Sequence, residues 1–98
     1  MQVPKGFWKN KNNHKKYLQW LGKELNYIKL EDWYKIKTKI FKKYYGGSLL
    51  NYYNDSIQLL LKENFNQYDW LEWKFDKVPR NFWKNKNNHK RYLQWLVR

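Results

Sequence analysis

The chain has no cysteine, two prolines and three serine or threonine residues among its 98 positions. The lack of cysteine excludes disulfide bonds, thiolate metal sites and thiol nucleophiles. The three hydroxyl residues, Thr38, Ser48 and Ser56, all fall where helices are predicted to begin, so none is placed as a nucleophile beside a base. No apolar run approaches the roughly 20 residues that span a bilayer, and none resembles a signal peptide. These absences predict a soluble, intracellular protein without a membrane span.

Acidic residues are scarce, with 8 Asp and Glu against 21 Lys and Arg, which gives a net charge of +13. Residues 1–21 hold five Lys and residues 78–98 hold three Lys and three Arg, and neither segment has an acid. A localised excess of this kind is typical of a surface that binds a polyanion. The abundance of Lys, Asn, Tyr and Ile is also typical of an AT-rich or viral genome, but such a bias does not explain why acids are missing from both segments.

The chain does have a repeat. VPKGFWKNKNNHKKYLQWL at 3–21 returns as VPRNFWKNKNNHKRYLQWL at 78–96, with sixteen of nineteen positions identical. We therefore predict a complete repeat over 1–77 and the start of a second copy over 78–98, whose helix packs on the first unit between residues 55 and 75. Seven Trp and nine Tyr allow this short, polar chain to build a core from few residues.

Helical periodicity dominates the chain, and no segment alternates with period two. In the first copy, one arc of the helix is apolar and the opposite arc is basic and amide-bearing; the apolar arc holds His14, Tyr17, Leu18, Leu21 and Leu25, and the polar arc holds Asn12, Lys15, Lys16, Gln19 and Lys23. In the second copy the helix is predicted from about Asn87 to the end, with Tyr92, Leu93 and Leu96 buried.

Shorter helices are predicted between the two copies. Leu30 to Ile36 forms a short helix that inserts Trp33, and Thr38 caps a second helix that ends at Gly46-Gly47 in the left-handed conformation. Ser48 caps a turn over 49–53, and Asp55 with Gln58 forms a capping box for an apolar helix that carries Ile57, Leu60, Leu61 and Phe65. The predicted fold is all-α: a small Trp-rich, helix-turn-helix-like domain of 75 residues plus the first helix of a second repeat.

Residues suited to catalysis do not cluster. His14 and His89 occupy equivalent positions on the apolar arc, without Cys, Asp or Glu nearby, so we interpret them as packing residues. Glu31 and Asp32 are adjacent and point to different sides of a helix. Gly46-Gly47 lacks the Gly-Lys-Ser/Thr pattern of a phosphate loop. We therefore predict a protein that is not an enzyme and has no cofactor, metal or small-molecule substrate.

The outer face of the duplicated helix is the candidate site. Asn and Gln contact adenine, Arg contacts guanine, and Lys contacts phosphates or guanine; an exposed helix also selects Lys and Gln for solubility alone. The predicted nucleic-acid-binding residues are Lys9, Lys11, Lys15, Lys16, Gln19, Lys23, Lys39, Lys42, Lys43, Lys84, Lys86, Lys90, Arg91, Gln94 and Arg98.

The central stretch resembles the small trihelical repeats found beside homing-endonuclease and helicase modules, through Leu21-Gly22, Leu30 to Tyr34, and Tyr53 to Phe65. The tandem pattern of FW, YLQWL, LEDWY and GGSLLNYY is also similar to repeat arrays in proteins of giant viruses, algae and oomycetes. The resemblance implies a helix-turn-helix-like DNA-binding role with Ser48 to Tyr53 at the recognition position. This chain departs from the pattern by a basic insertion at Lys35 to Tyr45 and by a short recognition helix.

Three functions remain open at this point. The first is a module that binds nucleic acid, with duplex DNA as the expected partner, mainly through phosphate contacts. The second is a protein–protein or self-assembly repeat, including a homodimer formed by exchange of the terminal segment. The third is an anionic-membrane surface binder, which requires the stripe of Tyr17, Leu18 and Leu21 to be exposed.

Overall fold

The computed structural model describes residues 4–76, 78 and 81–97. This part of the chain contains helices and no β-strand, which confirms the all-α prediction. The α-helices are α1 (Lys11–Glu24), α2 (Thr38–Lys43), α3 (Gly47–Asn51), α4 (Ile57–Asn64) and α5 (Lys86–Leu96), and 3-10 turns cover Phe7–Lys9, Leu30–Lys35, Glu72–Lys74 and Phe82–Lys84. The predicted contact residue Arg98 lies outside the described residues.

Helix α1 is the centre of the first unit. The side chain of Asn10 caps it by accepting the backbone N–H of Asn12 at 3.0 Å, which satisfies one of the free donors at the helix start. Its apolar arc is buried as the periodicity predicts: Tyr17 is 3% exposed, and Leu18 and Leu21 are fully buried. Because this stripe forms the core, it is not free to bind a lipid surface.

Glycines near α1 permit close packing. Gly46 does not take the predicted left-handed conformation; that conformation belongs to Tyr45, with φ 66°. A side chain at Gly46 would clash with the ring of Tyr17, whose hydroxyl donates to the carbonyl oxygen of Tyr44 at 2.6 Å. The glycine is therefore needed for contact with α1, and Tyr45 takes the strained turn position instead.

The predicted helix caps are shifted. Lys37 precedes α2, so Thr38 is its first helical residue, and Ser48 lies inside α3 because that helix begins at Gly47. Helix α4 is capped by Ser56, whose hydroxyl accepts the N–H of Leu59 at 3.1 Å. The predicted cap Asp55 has a positive φ of 59°. The left-handed turn that it forms places the start of α4 one residue later.

The 3-10 turn at Leu30–Lys35 inserts Trp33, which is 3% exposed, and confirms a short helical element here. Asp32 stabilises the start of this turn, because its carboxylate accepts the backbone N–H groups of Lys29 at 2.9 Å and Ile28 at 2.7 Å. These hydrogen bonds lower the pKa of Asp32, and the bond from Lys29 has the largest effect. Asp32 therefore has a structural role.

An aromatic cluster anchors the connector to the second copy. The ring of Tyr34 lies 5.2 Å from that of Trp70 and 4.7 Å from that of Phe75. The indole N–H of Trp70 donates to the carbonyl oxygen of Phe65 at 3.0 Å, and the hydroxyl of Tyr34 accepts the N–H of Leu71 at 2.7 Å. Each buried polar atom of these side chains is thus satisfied within the core.

Helix α5 contacts the first unit at residues 72–74. The ring of Trp73 lies 5.3 Å from Tyr92 and 5.6 Å from Trp95. The expected burial of Leu93 and Leu96 is wrong, because they are 58% and 52% exposed. The segments that cover the equivalent leucines of α1 belong to the first unit. Helix α1 already packs against them, so they are not available to α5.

Candidate nucleic-acid interface

A polar groove of about 430 Å³ runs between the outer face of α1 and the end of α4. We call it the basic groove. The wall from α1 consists of Lys11, Asn12, Lys15, Lys16 and Gln19, and the wall from α4 consists of Glu63, Asn64 and Asn66. Four of the predicted binding residues are therefore brought together by a single helix face.

The lysines of the basic groove take part in no ion pair within the described part of the chain. Ion pairs in the described part of the chain join Lys37 to Asp76 at 3.7 Å and join Lys62 and Arg91 to Glu72, both at 3.2 Å. Lys11, Lys15 and Lys16 take part in none of them, and all three are exposed. Their charge is available to an anion, since no carboxylate within the described residues neutralises it at contact distance.

The α4 wall could not be predicted from local sequence. Glu63 brings a negative charge to the groove, where it opposes the binding of phosphate. The side-chain nitrogen of Asn64 donates to the hydroxyl of Tyr53 at 3.1 Å and to the carbonyl oxygen of Leu60 at 2.8 Å, so this nitrogen is not free for a ligand. The concentration of asparagine around the end of α4 was the only signal in the sequence for this wall.

The remaining lysines predicted in the first unit lie outside the groove. Lys9 is exposed just before α1, and Lys23 is exposed in the last turn of that helix. Lys39 lines a separate cavity of about 510 Å³, and the ammonium of Lys43 lies 5.8 Å from the centre of the Tyr44 ring. Lys42 is exposed on α2. The structure therefore does not gather them into one site.

In the second copy, the structure gives Arg91 an intramolecular partner. Its guanidinium donates two hydrogen bonds to the carboxylate of Glu72, at 3.3 Å and 3.2 Å, and lies 5.5 Å from the centre of the Trp73 ring. Arg91 therefore joins α5 to the first unit, and its contact with a base stays a prediction. The other predicted residues of this copy, Lys84, Lys86, Lys90 and Gln94, are exposed.

His14 is a structural residue. It is 1% exposed, and its Nε2–H donates to the carbonyl oxygen of Trp8 at 2.6 Å. Because a carbonyl only accepts, Nε2 carries the proton of this hydrogen bond, and Nδ1 forms a second hydrogen bond with the hydroxyl of Tyr53 at 2.7 Å. Within the described ranges no group of three His, Asp or Glu is placed to hold a metal ion.

The helix that the resemblance places at the recognition position is poorly suited to that role. Helix α3 has five residues, and it buries Leu49 and Leu50. Its exposed side chains are Ser48 and Asn51. The longer, more basic face of α1 is the better candidate for contact with a groove of nucleic acid.

None of the helices described is long and apolar enough to cross a membrane. Comparisons with protein-family models, curated proteins and solved structures found no match to this chain. The resemblance to trihelical DNA-binding repeats stays a prediction.

Proposed function

We propose that this protein binds nucleic acid, with duplex DNA as the first candidate, through the basic groove beside α1. The observation that supports this proposal is that Lys11, Lys15 and Lys16 lie exposed along one face of α1 and form no ion pair with any of the described residues. Successive turns of an α-helix are about 5.4 Å apart, so Lys11 and Lys15, one turn apart, can reach neighbouring phosphates of one strand, and the adjacent Lys16 widens the basic face. Gln19, which shares the groove, adds a side chain that can contact a base edge.

Binding should depend steeply on salt. Each neutralised phosphate contributes about −0.9 to the slope of log K against log salt on duplex DNA, so the three lysines of the basic groove give a slope of roughly −3, and one to three further lysines in contact extend it to roughly −4 to −5. The experiment is a fluorescence-anisotropy titration at several salt concentrations against duplex DNA, single-stranded DNA and RNA, with anionic vesicles as a fourth ligand. A slope near zero, or no binding at low salt, would contradict the proposal.

The site can be located by comparing substitutions that remove the same charge from different places on the surface. Lys15→Ala should weaken binding and reduce the salt slope by about one unit, whereas Lys37→Ala, at a lysine paired with Asp76, should have little effect. Glu63→Gln should strengthen binding, because it removes the carboxylate from the α4 wall. Equal losses from Lys15→Ala and Lys37→Ala would indicate attraction by net charge alone.

Recognition of sequence rests on the glutamine. If Gln19 contacts a base, Gln19→Ala should narrow the difference between preferred and scrambled duplexes by about 1–3 kcal/mol. A uniform loss across all sequences would instead indicate that the groove contacts phosphates without base preference. Gln94→Ala, at the equivalent exposed position of α5, tests the same contact in the second copy.

A further inference from the structure

Helix α5 repeats the face that α1 buries, and its two leucines are uncovered, although Trp73 packs on the neighbouring Tyr92 and Trp95. Leu18 and Leu21 of α1 are fully buried, whereas Leu93 and Leu96 are 58% and 52% exposed. These pairs are equivalent positions of the repeat, 75 residues apart. The apolar face of α5 therefore lacks, within the described residues, the cover that the same face of α1 has.

The uncovered face is already arranged for docking. Asn88 donates to the carbonyl oxygen of Phe82 at 2.8 Å, as Asn13 does to that of Phe7 at 2.9 Å. The ring centres of Trp83 and Tyr92 are 5.2 Å apart, against 5.1 Å for the equivalent pair in the first copy. Because these contacts form without a cover, α5 presents the same side chains in the same arrangement as α1.

The first unit shows what fits this face. The hydroxyl of Tyr53 forms a hydrogen bond with Nδ1 of His14, and the carbonyl oxygen of Tyr44 accepts the hydroxyl of Tyr17. Below these contacts lie Gly46 and Trp33, against which α1 packs without intervening side chains. We call Trp33, Tyr44, Gly46 and Tyr53 the α1 cradle. It is the one surface in the described residues already seen to bind these side chains.

We propose that two copies of this chain associate by helix exchange, with α5 of one copy taking the place of α1 in the cradle of the other. The buried faces of the two helices share the same His, Tyr and two Leu residues, so the exchange replaces contacts by equivalent contacts. The incoming α5 also keeps its own pairing between Arg91 and Glu72. This inference does not depend on nucleic-acid binding.

Two features oppose the exchange. Trp73 already packs on Tyr92 and Trp95 of α5 and has to leave them before the cradle of another copy can take its place, and Val97 stands where α1 has a glycine. The position equivalent to Gly22 is Val97, and a Cβ at Gly22 would lie 3.2 Å from Cζ2 of Trp33, closer than ordinary van der Waals contact. The branched side chain of Val97 therefore meets Trp33 if α5 docks as α1 does. Val97 biases the cradle toward α1, and it makes the wild-type exchange weak and dependent on concentration.

The test removes α1 from the cradle by placing a charge at one of its buried positions. In Leu18→Asp, α1 cannot dock, because a carboxylate would enter a fully buried site. We expect the helix content of this variant to rise with protein concentration, because α5 of one copy fills the cradle of another. Its mass in sedimentation equilibrium should rise over the same range of concentration. The double variant Leu18→Asp/Leu93→Asp should stay monomeric and unfolded at the same concentrations. Identical behaviour of the two variants at every concentration would overturn the proposal.

Two further variants control this result. Leu93→Asp alone should remain folded and monomeric, since Leu93 is exposed. Adding Val97→Gly to Leu18→Asp should strengthen association roughly tenfold or more, which corresponds to about 1.4 kcal/mol per factor of ten. Val97→Ala should give an intermediate effect. No strengthening by Val97→Gly would overturn the assigned role of Val97.

Discussion

The two copies of the repeated segment have the same local structure and different surroundings. Each has an asparagine cap, a Phe-Trp turn and a histidine whose Nε2 contacts the tryptophan carbonyl oxygen; the contacts join His14 to Trp8 and His89 to Trp83. His14 is buried, but His89 is exposed. The comparison teaches that this segment takes the same local structure with and without the cover that the first unit supplies to α1, so we expect its contribution to stability to depend on that cover.

The largest difference between the copies should appear at the equivalent leucines. Leu18→Ala removes fully buried methyl groups and should lower the free energy of unfolding by about 2–5 kcal/mol. Leu93→Ala removes atoms from a side chain that is 58% exposed and should cost about 0.5 kcal/mol or less. Urea denaturation of both variants measures the difference, and equal losses would show that α5 is covered in solution.

The histidines should differ by a smaller amount. His14→Ala leaves the buried carbonyl oxygen of Trp8 without its donor and removes a hydrogen-bond partner of the Tyr53 hydroxyl. An unsatisfied buried polar group costs about 1–3 kcal/mol. His89→Ala, at an exposed histidine, should cost little. Thermal melts of the two variants check this prediction, which fails if the Tm of His89→Ala falls as far as that of His14→Ala.

The junction between the copies should loosen in acid. Partial burial raises the pKa of Glu72, but hydrogen bonds from Arg91 and Lys62 outweigh it and hold the pKa below its usual range. A carboxylate with a lowered pKa stabilises the folded state above its ordinary pKa, and this contribution is lost as the pH falls through the folded-state value. The three charges lie partly exposed, so the effect should be about 1 kcal/mol or less.

Trp73 reports this junction, because its ring contacts both Tyr92 and Trp95. We expect the chemical shifts of α5 and the fluorescence of Trp73 to change as the pH falls below about 4.3, the ordinary pKa of a glutamate. Glu72→Gln should remove this change while α1 stays folded. A pH response that persists in Glu72→Gln would assign it to another group.

The helices and the burial of the α1 stripe could be predicted from periodicity, because α1 and α4 each have a sufficiently long apolar arc. Periodicity shows which face of a helix is apolar but not whether a partner covers it, so the exposure of Leu93 was missed. The pairing of Arg91 with Glu72 and the second wall of the basic groove depend on packing between distant segments. The local pattern at Gly46 predicts a helix end, because it does not show that Tyr17 packs against this glycine.

The comparison of the copies also gives the most direct test of the basic groove. Lys15 and Lys90 are equivalent residues with equal charge, and both are exposed, but only Lys15 faces a wall from α4 within the described residues. In salt-titrated binding to duplex DNA, we predict that Lys15→Ala weakens affinity and reduces the slope by about one unit, and that Lys90→Ala has the smaller effect on both. Equal effects of the two substitutions, or a slope that neither changes, would contradict the assignment of the groove as the binding site.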